Sequence, residues 1–235
     1  MATAACGVVF SRSYGLSQNG KALARVLLPL ADLLNHGGDE CGEEGPTWPP
    51  VLDRGNMRWE VEEDSLVVRS ITTLNEGDEA LFSYREQSND TFALYYGFFP
   101  DLNPHDDVVL FNSIADACAW CSARSWGLPA GAEAAAVAAA AAVEAELASG
   151  GEKALVDSEQ RLKVAAGGRL DRRLVAAMAA VHADGRAGAF AALAARCREL
   201  CTSFAEVQGG EPSVERLLAH KRRILAETIA SLECA

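Results

Sequence analysis

The sequence predicts an α+β protein in which a β-rich part, residues 1–111, precedes an all-α helical part, residues 112–235. Two observations carry this prediction. Over the first hundred residues, short β-rich segments alternate with turn residues. From about Asn112 onward alanine dominates, proline becomes scarce and apolar residues recur at helical spacing, with the change complete by about residue 130.

The first 56 residues contain few signals of regular structure. Residues 1–25 form a short apolar segment that ends in a loop, with a turn predicted at Gln18-Asn19-Gly20. Residues 27–36 begin as a strand or short helix and end at the pair Asn35-His36. Residues 37–56 are rich in glycine, proline and acidic residues, which favours a loop.

Three short strands and a helix are predicted next. Residues 58–62 alternate in polarity and residues 65–70 are rich in β-formers, with a turn at residues 63–64 between them. A third strand is predicted over residues 80–84. A helix over residues 91–97 follows, capped by Ser88-Asn89-Asp90.

The second part predicts a series of helices. Alanine, the residue with the highest helix propensity, fills most of residues 132–148. Apolar residues near helical spacing in the last segment leave the run Lys221-Arg222-Arg223 mostly on the outer face. The predicted helices span residues 132–148, 152–165, 171–183, 187–206 and 212–233.

Composition limits the class of protein. The chain has 235 residues, of which 49% are hydrophobic and 23% charged, and these values are typical of globular proteins. No apolar run reaches the ~20 residues that span a bilayer, and residues 1–5 lack the features of a secretory signal. The seven cysteines show no disulfide spacing. We therefore expect no membrane association and an intracellular location, with cytoplasm, nucleus and chloroplast equally open.

The acidic charge is concentrated in the first half. Residues 1–110 contain 18 Asp and Glu against 7 Lys and Arg, whereas residues 111–235 contain 15 against 14. This distribution argues against nucleic acid as a partner and favours a basic protein, although acidic residues also serve solubility alone.

Three segments carry the functional signal: SRSYGL (residues 11–16), PLADLLNH (29–36) and GDEALFSYREQSNDTFALYYGFFP (77–100). Their Asn-His pair, Gly-Asp-Glu-x-x-x-x-Tyr motif and Tyr-Gly-Phe motif, in this order and spacing, resemble the SET-domain protein methyltransferases. The nearest resemblance is to the subclass typified by the Rubisco large-subunit lysine methyltransferase, which also includes the actin-histidine methyltransferase. It covers about residues 1–110, and the remainder is similar in character to that subclass's helical substrate-binding domain.

The resemblance implies a protein-lysine N-methyltransferase that uses S-adenosyl-L-methionine. Asn35 and His36 correspond to the pair that binds the cofactor. An amide and an imidazole together offer the donors and acceptors that suit a zwitterionic, heteroaromatic ligand. Tyr84 corresponds to the catalytic tyrosine, which also contacts the cofactor. Tyrosine supplies a π face and oxygen lone pairs, and both attract a sulfonium methyl group.

Three further residues are implied on the substrate side. Tyr96 corresponds to a second tyrosine of the lysine channel. Arg12 and Asp32 fall where the family has polar residues near the substrate side chain. Asp32 either helps to bind the incoming amine or forms an ion pair with Arg12 that only braces the fold. The expected partner is a protein substrate, such as a basic ribosomal protein or Rubisco, and the chain is expected to be a monomer.

The sequence departs from the family at its start. Residues 1–10 contain no Gly-x-Gly cofactor loop, so the chain is expected to begin inside the SET fold and to lack one wall of the cofactor pocket. Two alternatives to an active lysine methyltransferase remain open. One is a non-catalytic protein-interaction module. The other is a protein-histidine methyltransferase, whose acceptor choice would depend on positions such as Tyr14 and Ala31.

Four cysteines allow a different interpretation. Cys118 and Cys121 form a CxxC motif, and Cys197 and Cys201 are one helical turn apart, so the four thiols offer a zinc ligand set. Both pairs fall in predicted helices without a glycine knuckle or a neighbouring histidine. We therefore expect no metal site.

Overall fold

The computed structural model describes residues 12–18, 21–37, 55–62, 65–84, 86–124, 126, 128–150, 161–207 and 210–234. The chain divides into two compact units, Met1–Asn103 and Pro104–Ala235. This division falls a few residues before the predicted boundary between 111 and 112. Some predictions lie outside the described residues: the start of the chain inside a fold, the turns at 19–20 and 63–64, and most of the loop over 37–56.

The first unit contains six strands and one helix within its described residues. Strands β1 (Ser13–Gln18) and β2 (Lys21–Leu27) form an antiparallel pair, where the sequence had predicted only a loop near residue 25. A 3₁₀ turn at Ala31–Leu33 follows. The remaining elements are β3 (Asn35–His36), β4 (Met57–Glu62), β5 (Ser65–Ser70), β6 (Leu81–Phe82) and helix α1 (Asn89–Tyr96).

Strand β6 lies inside the four-stranded sheet of this unit, whose order is β3-β6-β4-β5. It runs parallel to β3 on one side and to β4 on the other, while β4 and β5 are antiparallel. The three predicted strands are therefore confirmed. Because β6 is flanked on both sides, the residues directly after it are held close to the end of β3.

Helix α1 confirms the predicted helix and its cap. The Ser88 side chain accepts a hydrogen bond from the Thr91 amide at the N-terminus, which satisfies an amide that has no partner within the helix. Gly97, with φ of 77°, ends the helix in the left-handed conformation. The helix buries Phe92 completely.

The second unit combines a three-stranded antiparallel sheet with five helices in its described residues. The sheet has the order β7 (Asp107–Phe111), β8 (Leu162–Ala165) and β9 (Arg169–Leu170). The helices are α2 (Ile114–Ala123), α3 (Ala132–Gly150), α4 (Arg172–Val181), α5 (Arg186–Glu206) and α6 (Pro212–Glu233).

The α+β class is confirmed, but the all-α second part is wrong. Residues 162–165, predicted as the end of a helix, form β8. The reason is tertiary, since β8 pairs with β7 and buries Leu162 and Val164 in the core of the unit. The other four predicted helices of this part are confirmed, and the alanine-rich α3 uses Ala132, Ala136 and Ala140 to pack against α4. Among the described helices, none has both the length and the apolar character needed to cross a membrane.

Lys221 occupies the inner face of α6, so its predicted place on the outer face is wrong. The buried residues of this helix are Lys221, Ile224, Leu225, Thr228 and Leu232, which lie on one helical face. The Lys221 ammonium donates to Asp106 Oδ1 at 2.6 Å and to the Asp107 carbonyl at 2.7 Å. A buried carboxylate therefore explains why a lysine lies in an apolar stripe.

Candidate functional site

The pairing of β3 with β6 brings two of the sequence motifs together. Asn35 lies opposite Leu81 and His36 opposite Phe82, and the Gly37 amide donates to the Phe82 carbonyl at 2.9 Å. Both strands run in the same direction, so the residues that follow them lie at the same end of the sheet. Tyr84, two residues after β6, is therefore placed next to His36.

His36 and Tyr84 are joined by a hydrogen bond. The Tyr84 amide donates to His36 Nδ1 at 3.1 Å. A nitrogen that accepts a hydrogen bond carries no proton, so the neutral imidazole has its proton on Nε2. The ring therefore acts as an acceptor towards Tyr84 and as a donor through its other nitrogen.

The Tyr84 hydroxyl donates to the Leu34 carbonyl at 2.7 Å. Burial of the phenol raises the pKa of Tyr84 above its usual value near 10, and the neighbouring Tyr96 raises it further. Arg12 lowers this pKa, and Asp32 has the smallest effect, which raises it. The phenol therefore stays protonated at neutral pH. With its proton directed at Leu34, the oxygen retains lone pairs that can accept other contacts.

Five rings form an aromatic cluster: His36, Tyr84, Phe92, Tyr96 and Phe98. Tyr84 lies 4.7 Å from Tyr96 between ring centroids, and His36 lies 4.7 Å from Phe92 and 5.2 Å from Tyr84. Phe92 is buried, whereas Phe98 keeps 40% of its surface exposed. The cluster therefore has a buried base and an accessible side.

Helix α1 and the turn after it supply three of these rings. The motifs predicted a role for Tyr96 but none for Phe92 or Phe98, although all three lie in the segment 77–100. Spacing could have identified Phe92, because it precedes Tyr96 by one helical turn.

Asp32 lies two residues before Leu34, whose carbonyl accepts the hydrogen bond from the Tyr84 hydroxyl, and it forms an ion pair with Arg12. Arg12 Nη1 donates to the Asp32 carbonyl at 3.0 Å and lies 3.4 Å from Asp32 Oδ2. Half of the Arg12 side chain and a quarter of the Asp32 side chain remain exposed, so this ion pair contributes little stability by itself. The predicted pairing is thus present, and the predicted substrate contact stays a prediction.

Asn35 forms a contact that the sequence did not indicate. Its Nδ2 donates to Glu79 Oε1 at 2.7 Å. Glu79 belongs to the Gly-Asp-Glu part of the third segment, yet no role was predicted for it. Asn35 is exposed, so its amide is open to a ligand as well as to Glu79.

Gly55 and Asn56 fix the backbone that leads into Tyr84. Asn56 donates through Nδ2 to the Glu79 carbonyl at 2.9 Å and accepts at Oδ1 from the Leu81 amide at 2.8 Å. A Cβ at position 55 would lie 2.8 Å from the Ser83 nitrogen, so only glycine fits against this strand. No role was predicted for either residue, because both lie at the end of the predicted loop 37–56, outside the three motif segments.

A buried amide pair holds the start of α1. Asn103 Nδ2 donates to Asn89 Oδ1 at 2.9 Å and to the Gln87 carbonyl at 2.8 Å. Both asparagines are buried. Asn103 therefore anchors the helix that carries Phe92 and Tyr96.

Of the two positions named for the choice between lysine and histidine, only Ala31 has a described side chain. Ala31 is buried within the 3₁₀ turn that leads to β3. The side chain of Tyr14 lies outside the described residues. Leu30, just before Ala31, has φ of 73° and is 78% exposed, a conformation that non-glycine residues rarely adopt.

The four cysteines considered as zinc ligands lie in the second unit as free thiols. Burial raises the pKa of Cys121 to about 11 and that of Cys197 to about 12, so both hold their protons at neutral pH. Burial also raises the pKa values of Cys118 and Cys201. In the described part of the chain, no three His, Cys, Asp or Glu residues are placed to share a metal ion.

Comparisons with known proteins give no independent identification. No model of a known protein family matches the chain, and no curated protein matches it.

Proposed function

We propose that the first unit carries a SET-type site, that of an S-adenosyl-L-methionine-dependent protein-lysine N-methyltransferase. The observation that supports this most strongly is the meeting of Asn35-His36 with Tyr84 at the ends of adjacent parallel strands. The Tyr96 ring contacts the Tyr84 ring at this point, with the two ring planes tilted by 32°. Residues of separate motifs, all of them expected to serve methyl transfer, thus lie together.

The residues present fit the proposed cofactor. Its methyl group is carried on a sulfonium cation, and when bound it supplies an electrophilic methyl for transfer to an amine. The faces of Tyr84 and Tyr96 attract a cation, while His36 offers an Nε2 proton and Asn35 an amide. This set combines π faces with donors and acceptors, as a ligand with a cation, a zwitterion and a purine requires.

Tyr84 acts as the catalytic residue in this proposal. Its hydroxyl proton is held by the Leu34 carbonyl, so the phenol oxygen presents lone pairs to the reacting groups. The raised pKa of Tyr84 keeps the phenol neutral, and it therefore does not draw a proton from the acceptor amine. Oxygen lone pairs accept weak C–H···O contacts, which favour a methyl group next to a sulfonium.

The acceptor lysine must lose its proton before it can attack. A lysine with a pKa near 10.4 requires roughly 4–5 kcal/mol to be neutral at pH 7. The aromatic cluster is a poor solvent for a charged ammonium and lowers this cost by desolvation. Asp32, a quarter exposed and close to Tyr84, attracts the protonated amine as it arrives, while Arg12 restrains the carboxylate.

A basic protein is the substrate class that we propose. The excess of acidic residues before position 111 favours a positively charged partner such as a ribosomal protein, and Rubisco is a second candidate. In this proposal the second unit binds the protein substrate, as the helical domain of the resembled subclass does.

The experiment is a methyl-transfer assay with tritium-labelled S-adenosyl-L-methionine and fractionated protein extracts. We expect labelled protein, with methyllysine after hydrolysis, and loss of at least ~100-fold in rate for Tyr84→Phe. Tyr95→Phe is the matched control, because Tyr95 is the neighbouring exposed tyrosine of α1.

Three outcomes distinguish the proposals. Methylhistidine in place of methyllysine would move the acceptor to histidine and keep the methyltransferase. Equal rates for the Tyr84 and Tyr95 variants would remove Tyr84 from catalysis. No transfer by a folded chain that also fails to bind S-adenosylhomocysteine would favour the non-catalytic interaction module.

A further inference from the structure

The contact between Asn35 and Glu79 joins two strands far apart in the sequence. Asn35 opens β3 and pairs with Leu81, and Glu79 lies two residues before Leu81 on the parallel neighbour. The donor is Asn35 Nδ2 and the acceptor is Glu79 Oε1, 2.7 Å apart. A carboxylate can only accept hydrogen bonds, so the amide nitrogen has to face Glu79. The Asn35 amide therefore has a defined orientation, with Nδ2 facing Glu79 and Oδ1 facing away from it.

Glu79 is itself held in place. Asn56 Nδ2 donates to the Glu79 carbonyl at 2.9 Å, and the Asn56 amide donates to the Leu81 carbonyl at 2.9 Å. The Glu79 backbone is therefore fixed from one side by Asn56, while its carboxylate reaches Asn35 on the other. With its backbone restrained, Glu79 loses only side-chain rotamer freedom when its carboxylate orients Asn35.

We propose that Glu79 is a positioning residue for the amino-acid portion of the cofactor, an inference that rests on the proposed function. By engaging Nδ2, Glu79 directs Asn35 Oδ1 away from itself, and Oδ1 becomes the acceptor for an α-ammonium group. Without Glu79 the amide can rotate and present its NH₂ group, which repels an ammonium.

Two ligands separate this role from a general effect on the pocket. S-adenosylhomocysteine contains the adenosine and the α-ammonium group, whereas 5′-methylthioadenosine contains the adenosine and lacks the amino-acid portion. Calorimetric titration of both ligands is carried out on the full chain and on Glu79→Gln, Glu79→Ala, Asn35→Ala and the double variant Asn35→Ala/Glu79→Ala. Glu76→Gln is the matched control, because Glu76 is an exposed residue of the same turn.

We expect Glu79→Ala to weaken binding of S-adenosylhomocysteine about tenfold, the effect of roughly one hydrogen bond to a charged group. Glu79→Gln should weaken it less, because a glutamine can still accept from Nδ2 but does not enforce one orientation. Binding of 5′-methylthioadenosine should change less than twofold in every Glu79 variant. The double variant should bind no more weakly than Asn35→Ala alone, since Glu79 acts through Asn35.

The failures of the two proposals are distinguishable. If the unmodified chain binds neither ligand, the proposed function fails and the role of Glu79 fails with it. If the unmodified chain binds S-adenosylhomocysteine but Glu79→Ala binds it equally well, only the positioning role is overturned. Equal weakening for both ligands, or additive effects of the Asn35 and Glu79 changes, would also overturn it, because either result indicates a structural effect on the whole pocket.

Discussion

Replacement of Lys221 by methionine tests the unexpected ion pair in the second unit. Lys221 and Asp106 are both almost fully buried, and their charged atoms lie 2.6 Å apart. Methionine keeps a flexible unbranched side chain but removes the charge and the hydrogen bonds to Asp106 and to the Asp107 carbonyl. Asp106 would then remain buried next to an apolar group.

The magnitude follows from the geometry. At an effective dielectric constant of about 20, two unit charges at this distance attract by about 6 kcal/mol. Desolvation of both groups offsets most of this attraction, so the intact pair adds little net stability. Removing only the lysine takes away a counter-charge 2.6 Å from Asp106 while the carboxylate stays buried, and the expected loss in the free energy of unfolding is about 3–5 kcal/mol.

The assay is denaturant unfolding followed by far-ultraviolet circular dichroism, which reports mainly on the five described helices of this unit. Arg222→Met is the matched control, because Arg222 is the exposed neighbour on the same helix, and its effect should stay within about 0.5 kcal/mol. The double variant Lys221→Met/Asp106→Leu should recover most of the loss, since both charges are then absent. A loss below about 1 kcal/mol in Lys221→Met would refute the reasoning.

Three further predictions concern the site and the thiols. Gly55→Ala should weaken binding of S-adenosylhomocysteine at least about tenfold while the second unit stays folded, because its Cβ would displace the backbone at Ser83; unchanged affinity would contradict this. The phenolate absorbance of the unmodified chain, after that of Tyr84→Phe is subtracted, should show a titration step above pH 10, and a step below pH 10 would be inconsistent with burial. The free energy of unfolding should fall as pH rises from 10 towards that step, because the unfolded chain releases the Tyr84 proton at a lower pH than the folded chain does. Peptide mapping after brief alkylation should show exposed Cys234 modified and Cys197 protected until unfolding, since burial raises the pKa of Cys197 to about 12; equal labelling would show that the helix opens readily.

Local signals predicted much of the secondary structure. The cap at Ser88, the alanine content of α3 and the apolar spacing of α5 and α6 were sufficient to place helices, because these signals act within a few residues. The same kind of reasoning failed at β8. The segment 162–165 is short, with three apolar residues and Lys163, and a segment of that kind becomes a strand only when a partner such as β7 is available.

The candidate site shows the same division. Asn35, His36, Tyr84 and Tyr96 were selected from motifs, and the structure places His36, Tyr84 and Tyr96 in one aromatic cluster. Glu79 was quoted within a motif and received no role, because the sequence does not show that its carboxylate faces an amide 44 positions earlier. Glu79 meets Asn35 only because the strand order pairs β3 with β6.

The sequence by itself determined the α+β class, most of the helices and the residue types available for chemistry, because these depend on composition and on neighbours along the chain. Only the tertiary structure decided which distant residues meet. It placed Tyr84 against His36, directed the Asn35 amide towards Glu79 and turned Lys221 inward to Asp106. Each of these contacts requires the chain to be folded back on itself, so hydrogen bonding and burial between distant segments, rather than local propensity, determine them.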